Sequence, residues 1–128
     1  MQLLLDTCAF LWLTIDGPEL SEKAIEVFRN PENRVYLSAV SAWEIIVKNR
    51  LGKLPLPENP ASFVSRQCQI HQIEFLSLDE FAVYQLQTLP DLHRDPFDRM
   101  LICQALHKQL TILTSDEMIK QYPVTTIW

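Results

Sequence analysis

Glycine is almost absent from this chain: Gly17 and Gly52 are the only two in 128 residues. That excludes a phosphate-cradling glycine loop and a dinucleotide fingerprint, both of which need backbone approaches that side chains block. It also leaves no flexible linker. There are no repeats or low-complexity tracts, and the one proline-rich stretch, PLPENP at 55–60, reads as a stiff loop between helices. Cysteine is scarce as well. Cys8, Cys68 and Cys103 are odd in number, widely spaced and free of any C-x-x-C, so a cysteine-ligated zinc site has no support. Buried free thiols in a reducing cytoplasm are the expectation. No apolar run approaches the roughly 20 residues that span a bilayer. The start, MQLLLDTCAFLWL, is apolar but has no basic leading segment and carries Asp6 in its middle, so it is read as structure rather than a signal peptide. A G-x-S-x-G elbow is absent too.

Apolar residues make up 48% of the sequence, enough for a globular domain, and residues 1–128 are expected to form one. QLLL (2–5), RVYLS (34–38), IEFLSL (73–78) and LTILT (110–114) read as strands, with VTTI (124–127) as a final one. Between them, CAFLWL, SEKAIEVFRN, AVSAWEIIVKNRLGK, ASFVSRQCQI, DEFAVYQLQTL and PFDRMLICQALHKQ read as helices. The third of these ends near Gly52 and the fifth is capped by Asp79. Strands that alternate with helices and read as continuous apolar runs predict an α/β domain, a central mostly parallel sheet covered on both faces. In such sheets ligands bind beyond the carboxyl ends of the strands.

Four acids are expected at that edge. Asp6 ends the first strand, and Asp116 follows LTILT by two positions. Asp98 lies in the first turn of the helix that leads into LTILT, on one stripe with Leu101, Ile102 and Ala105. Glu44 shares a stripe with Val40, Val47 and Leu51. Each has a plainer role open to it. Asp6 can cap a helix. Asp98 can close a capping box in which Asp95 is the cap and Pro96 the first helical residue. Glu44 can pair with Lys48 four residues on. Asp116, or Ser115, can cap a short turn. Their conjunction carries more weight: several carboxylates in one place repel unless cations neutralise them, and oxygen ligands suit Mg²⁺ or Mn²⁺. The chemistry such a site offers is phosphodiester hydrolysis.

The net charge of −5 argues, taken alone, against wrapping nucleic acid. Setting the four acids aside leaves twelve acidic against eleven basic residues, so the body of the chain is nearly neutral. Lys48, Arg50, Lys53, His93, Arg94 and Arg99 lie on the segments that bear Glu44 and Asp98, placed either to touch a nucleic-acid backbone or to line solvated faces. His71 and His107 read as surface or helix-end residues. Trp12 and Trp43 sit in apolar helical patterns and are expected in the core, while Trp128 either folds back or meets another subunit.

LLLDTCAFLWL, SAVSAWEIIVKNRLGKL, HRDPFDRMLICQA and ILTSD, in that order, resemble the PIN domain, and more closely the VapC-like toxins of type II toxin–antitoxin systems. The resemblance runs over essentially the whole chain. It implies a three-layer α/β/α PIN-like fold and Mg²⁺- or Mn²⁺-dependent ribonuclease activity, with Asp6, Glu44, Asp98 and Asp116 as the catalytic, metal-holding acids. It makes Thr114 or Ser115 the hydroxyl beside the fourth acid, with Thr7 and Asp95 supporting the set and Lys48, Arg94 and Arg99 on the RNA side. It also implies a cognate antitoxin that blocks the acidic pocket with a peptide, a homodimer, and a cytoplasmic setting without membrane contact. Two rivals stand beside it. A phospho-acceptor receiver domain needs an adjacent acid pair after the first strand and a late lysine, where this chain has Asp6-Thr7 and TSDEM. A non-catalytic PIN-fold module would hold RNA or protein without cutting.

Overall fold

The computed structural model describes residues 1–128. In chain order the elements are β1 (Gln2–Leu5), α1 (Thr7–Thr14), α2 (Glu22–Arg29), β2 (Arg34–Ser38), α3 (Ala39–Arg50), α4 (Pro60–Ile70) and β3 (Glu74–Leu76), then α5 (Glu80–Tyr84), α6 (Pro96–Lys108), β4 (Thr111–Leu113), α7 (Glu117–Lys120) and β5 (Thr126–Ile127). A single 3₁₀ turn, Gln85–Gln87, follows α5 where a longer helix was expected. The five strands form one parallel sheet in the order β3-β2-β1-β4-β5.

The alternation of side chains along β1 builds the two sides of the core. Leu3 and Leu5 point into one apolar cluster with Phe10 of α1, Ala24 and Val27 of α2, Ile45 of α3 and Phe63 of α4. Leu4 points the other way, into a cluster with Val40, Leu101, Ile102, Ile112, Ile119 and Tyr122. Helices therefore cover both faces, as a parallel sheet requires. β1 lies in the centre, paired to β2 and β4, so its carboxyl end opens in the middle of the sheet's edge.

Local chemistry fixes the helix starts. Asp6, Ser21, Ser38, Asn59, Asp79, Asp95 and Asp116 each accept a backbone N–H of the helix they precede. α3 stops at Gly52, whose φ of 73° suits glycine: Gly52 N–H donates to Asn49 O and Lys53 N–H to Lys48 O, closing the helix end.

Several expectations change. β3 is shorter than residues 73–78 and sits at the sheet edge, so Phe75 is exposed rather than buried. β3 pairs only with β2, and exposed Arg34 of β2 and Glu74 of β3 form an ion pair between the two strands. Trp43 is not core: it is 54% exposed and sits T-shaped against Phe97, the ring centroids 4.7 Å apart. It precedes Glu44, and α3 turns Glu44 and Ile45 inward, which turns Trp43 outward. Trp12 is half-buried, and Trp128 folds back onto it with ring centroids 5.7 Å apart. Cys68 and Cys103 are buried, but Cys8 is exposed, because the first turn of α1 directs Thr7, Ala9 and Phe10 inward.

Ile102 is fully buried in the second cluster, whereas Ile46 is 39% exposed. Ile102→Ala is expected to lower unfolding stability in urea by about 2–5 kcal/mol. Ile46→Ala is expected to change it by less than about 1 kcal/mol. Equal costs would contradict this packing.

Candidate metal centre

The edge at the carboxyl ends of β1 and β4 gathers the four acids. Asp6 leaves β1 and caps α1, its Oδ1 accepting Ala9 N–H at 2.6 Å. Its Oδ2 accepts the hydroxyl of Thr114, which is fully buried just past β4. Thr114 Oγ1 in turn accepts Asp116 N–H at 3.0 Å, so one hydroxyl ties the first acid to the fourth. Asp116 caps α7 through Oδ1, which accepts Met118 N–H at 2.7 Å. Ser115, between them, is half-buried.

Glu44 is only 4% exposed, an uncommon place for a carboxylate. Thr7 Oγ1 donates to its Oε1 at 2.7 Å, with Ser41 Oγ 3.0 Å from the same hydroxyl. Lys48, one turn on, donates its ammonium to Oε2. The pairing with Lys48 expected from the i,i+4 spacing is therefore present, but on a buried acid rather than a solvated face.

Asp98 stands at the start of α6. Asp95 Oδ1 accepts the N–H groups of Phe97 and Asp98 at 2.8 and 3.0 Å, and Pro96 occupies the first helical position. Asp95 is thus the cap that aims the helix, and the Asp98 carboxylate is left for another partner. That partner is His93, whose Nε2 lies 2.8 Å from Asp98 Oδ2. One ligand atom each from His93, Asp98 and Asp116 lie within 4.8 Å of one another.

The sequence placed His93 among basic residues that either meet a nucleic-acid backbone or line solvated faces, not among the acids. Its actual neighbour depends on a loop built by distant residues. The Tyr122 hydroxyl oxygen accepts Leu92 and His93 N–H at 3.0 and 2.8 Å. Arg99 donates to Pro90 O at 2.9 Å and to Tyr122 Oη at 3.1 Å, and pairs with Asp91. Arg99 is therefore turned into the loop rather than outward, whereas Arg94 is exposed beside it. The signal in the sequence was the short spacing from His93 to Asp98 across Asp95-Pro96.

The electrostatics of this edge are those of excess negative charge. Burial pushes the Asp6 carboxyl up to about 6, and the Asp116 and Glu44 charges add to the effect against the hydrogen bonds from Thr114 and Ala9. Burial likewise pushes Asp98 up to about 6, with Asp95, Glu44 and Asp116 raising it further and His93 opposing. Asp98 and Asp116 thus come within ligand spacing of one another and of His93, while Asp6 is tied to Asp116 through Thr114 and Glu44 stands near enough to raise both Asp6 and Asp98. The donor set, carboxylate oxygens with one imidazole nitrogen, fits a divalent cation that would relieve this repulsion.

The fold and site define a small doubly wound α/β domain with a carboxylate cluster at its topological centre. The chain belongs to the PIN domain family, whose model matches residues 3–124. Among characterised proteins it is similar to Ribonuclease VapC16 of Mycobacterium tuberculosis, 45% identical over 51 residues. That stretch is 37% of this chain and 36% of the relative, so only about a third of the relative's length is spanned. The fold is that of the DNA-bound VapBC structure from Salmonella typhimurium, with a TM-score of 0.69, 19% identity and coverage of 99% of this chain and 97% of that one. VapBC2 from Rickettsia felis bound to a promoter DNA fragment gives a TM-score of 0.67 at 16% identity, covering 99% and 98%.

A raised carboxyl pKa penalises the folded state as pH rises. Asp98 is charged above about 4 when unfolded but only above about 6 when folded, so the penalty grows between those values and is complete at neutral pH. Its ceiling is about 3 kcal/mol, since each pH unit between the two values contributes about 1.4 kcal/mol. In EDTA, Asp98→Asn is expected to be more stable than the parent at pH 7.5, with the advantage vanishing near pH 4. Urea denaturation at both pH values checks this, and a less stable variant at pH 7.5 would contradict it.

Proposed function

We propose that this chain is a metal-dependent endoribonuclease, the toxin of a type II toxin–antitoxin pair, that hydrolyses RNA phosphodiester bonds. The observation that carries the reading is the meeting of Asp6, Glu44, Asp98 and Asp116 at one edge, with two of them held well above the ordinary carboxylate range. PIN membership and the naming of VapC16 as a ribonuclease support it.

In this reading the four acids hold Mg²⁺ or Mn²⁺. When bound, such an ion supplies charge neutralisation and activates a water for in-line attack on the phosphate. The chain's own residues prepare the place. Thr114 and Thr7 fix one oxygen each of Asp6 and Glu44, and Asp95 sets the helix that carries Asp98. Ser115 lies beside Thr114, on the path to Asp116. Lys48, at the rim of Glu44, and exposed Arg94 are placed to receive phosphate oxygens and steer the backbone into the site. Water adds to phosphorus, the bond to the leaving ribose oxygen breaks, and that oxygen takes up a proton.

The similar folds from Salmonella typhimurium and Rickettsia felis are those of VapBC proteins, which supports a cognate antitoxin; in this proposal its peptide covers the acidic pocket, an arginine meeting the carboxylates. A homodimer and a cytoplasmic setting complete the proposal. No helix is long and apolar enough to cross a membrane.

The test is cleavage of labelled structured and single-stranded RNAs by antitoxin-free protein with Mg²⁺, Mn²⁺ or EDTA. Cleavage is expected only with metal, and Asp98→Asn or Glu44→Gln is expected to lower its rate at least about a hundredfold. RNA binding without cleavage, indifferent to metal and to both substitutions, would instead mark a non-catalytic module.

A further inference from the structure

His93 is held for a purpose that its backbone does not explain. Residues 90–93 have no regular secondary structure, yet Tyr122, 3% exposed, and Arg99 clamp them from two sides. Such a clamp immobilises a loop that would otherwise be free to move. What it delivers is one imidazole, 17% exposed, placed against Asp98 and within ligand spacing of Asp116.

We propose that His93 is a nitrogen ligand to the ion held by Asp98 and Asp116, making this a mixed imidazole–carboxylate centre that selects a first-row transition ion, such as Mn²⁺, over Mg²⁺. The proposal rests on the metal-site reading above and adds a ligand and a selectivity to it. Ligand atoms about 2.1 Å from an ion stand roughly 3 Å apart when adjacent and roughly 4.2 Å apart when opposite. The His93 and Asp98 atoms are 2.8 Å apart, close to the adjacent spacing, and all three lie within 4.8 Å, so side-chain movement alone, with no change of backbone, lets them close on one ion. At 2.8 Å, Nε2–H donates to Oδ2 in the tautomer that carries its hydrogen there. With that hydrogen on Nδ1 instead, the Nε2 lone pair faces the carboxylates and any cation among them. An imidazole nitrogen is a poor partner for Mg²⁺, which demands oxygen and keeps its waters, and a good one for transition ions.

The experiment is pulsed electron paramagnetic resonance of the full chain, free of any partner, with one equivalent of Mn²⁺. The spectrum is expected to show imidazole nitrogen coupling that changes when histidine is isotopically labelled; the other two histidines, His71 and His107, lie outside the acid cluster. By calorimetry, His93→Gln is expected to weaken Mn²⁺ binding about tenfold or more and to move Mg²⁺ binding by less than about threefold. Mn²⁺ that binds, and binds less well to Asp98→Asn, but shows no nitrogen coupling would overturn the proposal: His93 would then only orient Asp98, and the metal-site reading would stand. Mn²⁺ that does not bind, or binds Asp98→Asn as well as the parent, would overturn both. The wild-type spectrum decides the ligand question without a variant, so poor folding of His93→Gln does not blunt the test.

Discussion

Everything at the working edge of this molecule follows from holding like charges close together where water is scarce. Each carboxylate loses hydration on burial and gains repulsion from its neighbours. The chain meets part of that cost with hydrogen bonds. Asp6 receives Ala9 N–H and the Thr114 hydroxyl, Glu44 receives Thr7 and Lys48, Asp98 faces His93, and Asp116 receives Met118 N–H. The part left over appears in the raised values of Asp6 and Asp98. A cluster poised in this way is less stable than a neutral one, and a divalent ion bound there would recover that deficit.

The parallel sheet makes the arrangement possible. β1 is central, so acids that follow it and β4 come to one point without long loops. Helix starts lie at the same edge, which lets Asp6, Asp95 and Asp116 act as caps while they shape the site. The backbone N–H groups of those first turns also bias the edge towards anions, easing the crowding of carboxylates.

Much of this was legible in the sequence, for a physical reason. Asp6 is placed by the short apolar run before it, and Asp98 and Glu44 stand out because each interrupts an apolar stripe. Those signals are local, and the helices and strands realise them. What was not legible depends on contacts far apart in the chain. Trp43 looks like core by periodicity, but the inward turn of Glu44 gives that face of α3 to the acid. Cys8 resembles any buried thiol until the first turn of α1 is drawn and its side chain falls outside. Arg99 reads as a free cation, yet it is tied to Pro90 and Tyr122, and the bond from His93 to Tyr122 spans 29 residues. No pattern within HRDPFDR reports where residue 122 will be.

The capping duties of these acids do not compete with metal binding. A carboxylate has about four lone-pair positions, two on each oxygen. Asp6 uses one on Oδ1 for Ala9 and one on Oδ2 for Thr114, which leaves a position on each oxygen. Asp116 engages only Oδ1, and Asp98 only Oδ2. The bonds therefore fix direction without exhausting capacity, which is the usual role of groups that stand behind ligands. Lys48 is different. Its ammonium is itself a cation on Glu44 Oε2, half-exposed and on a flexible stem, and it offsets the charge of that acid. Were a divalent ion held among the carboxylates, it would repel that ammonium, and Lys48 would then offer its charge at the rim to a phosphate of the proposed substrate.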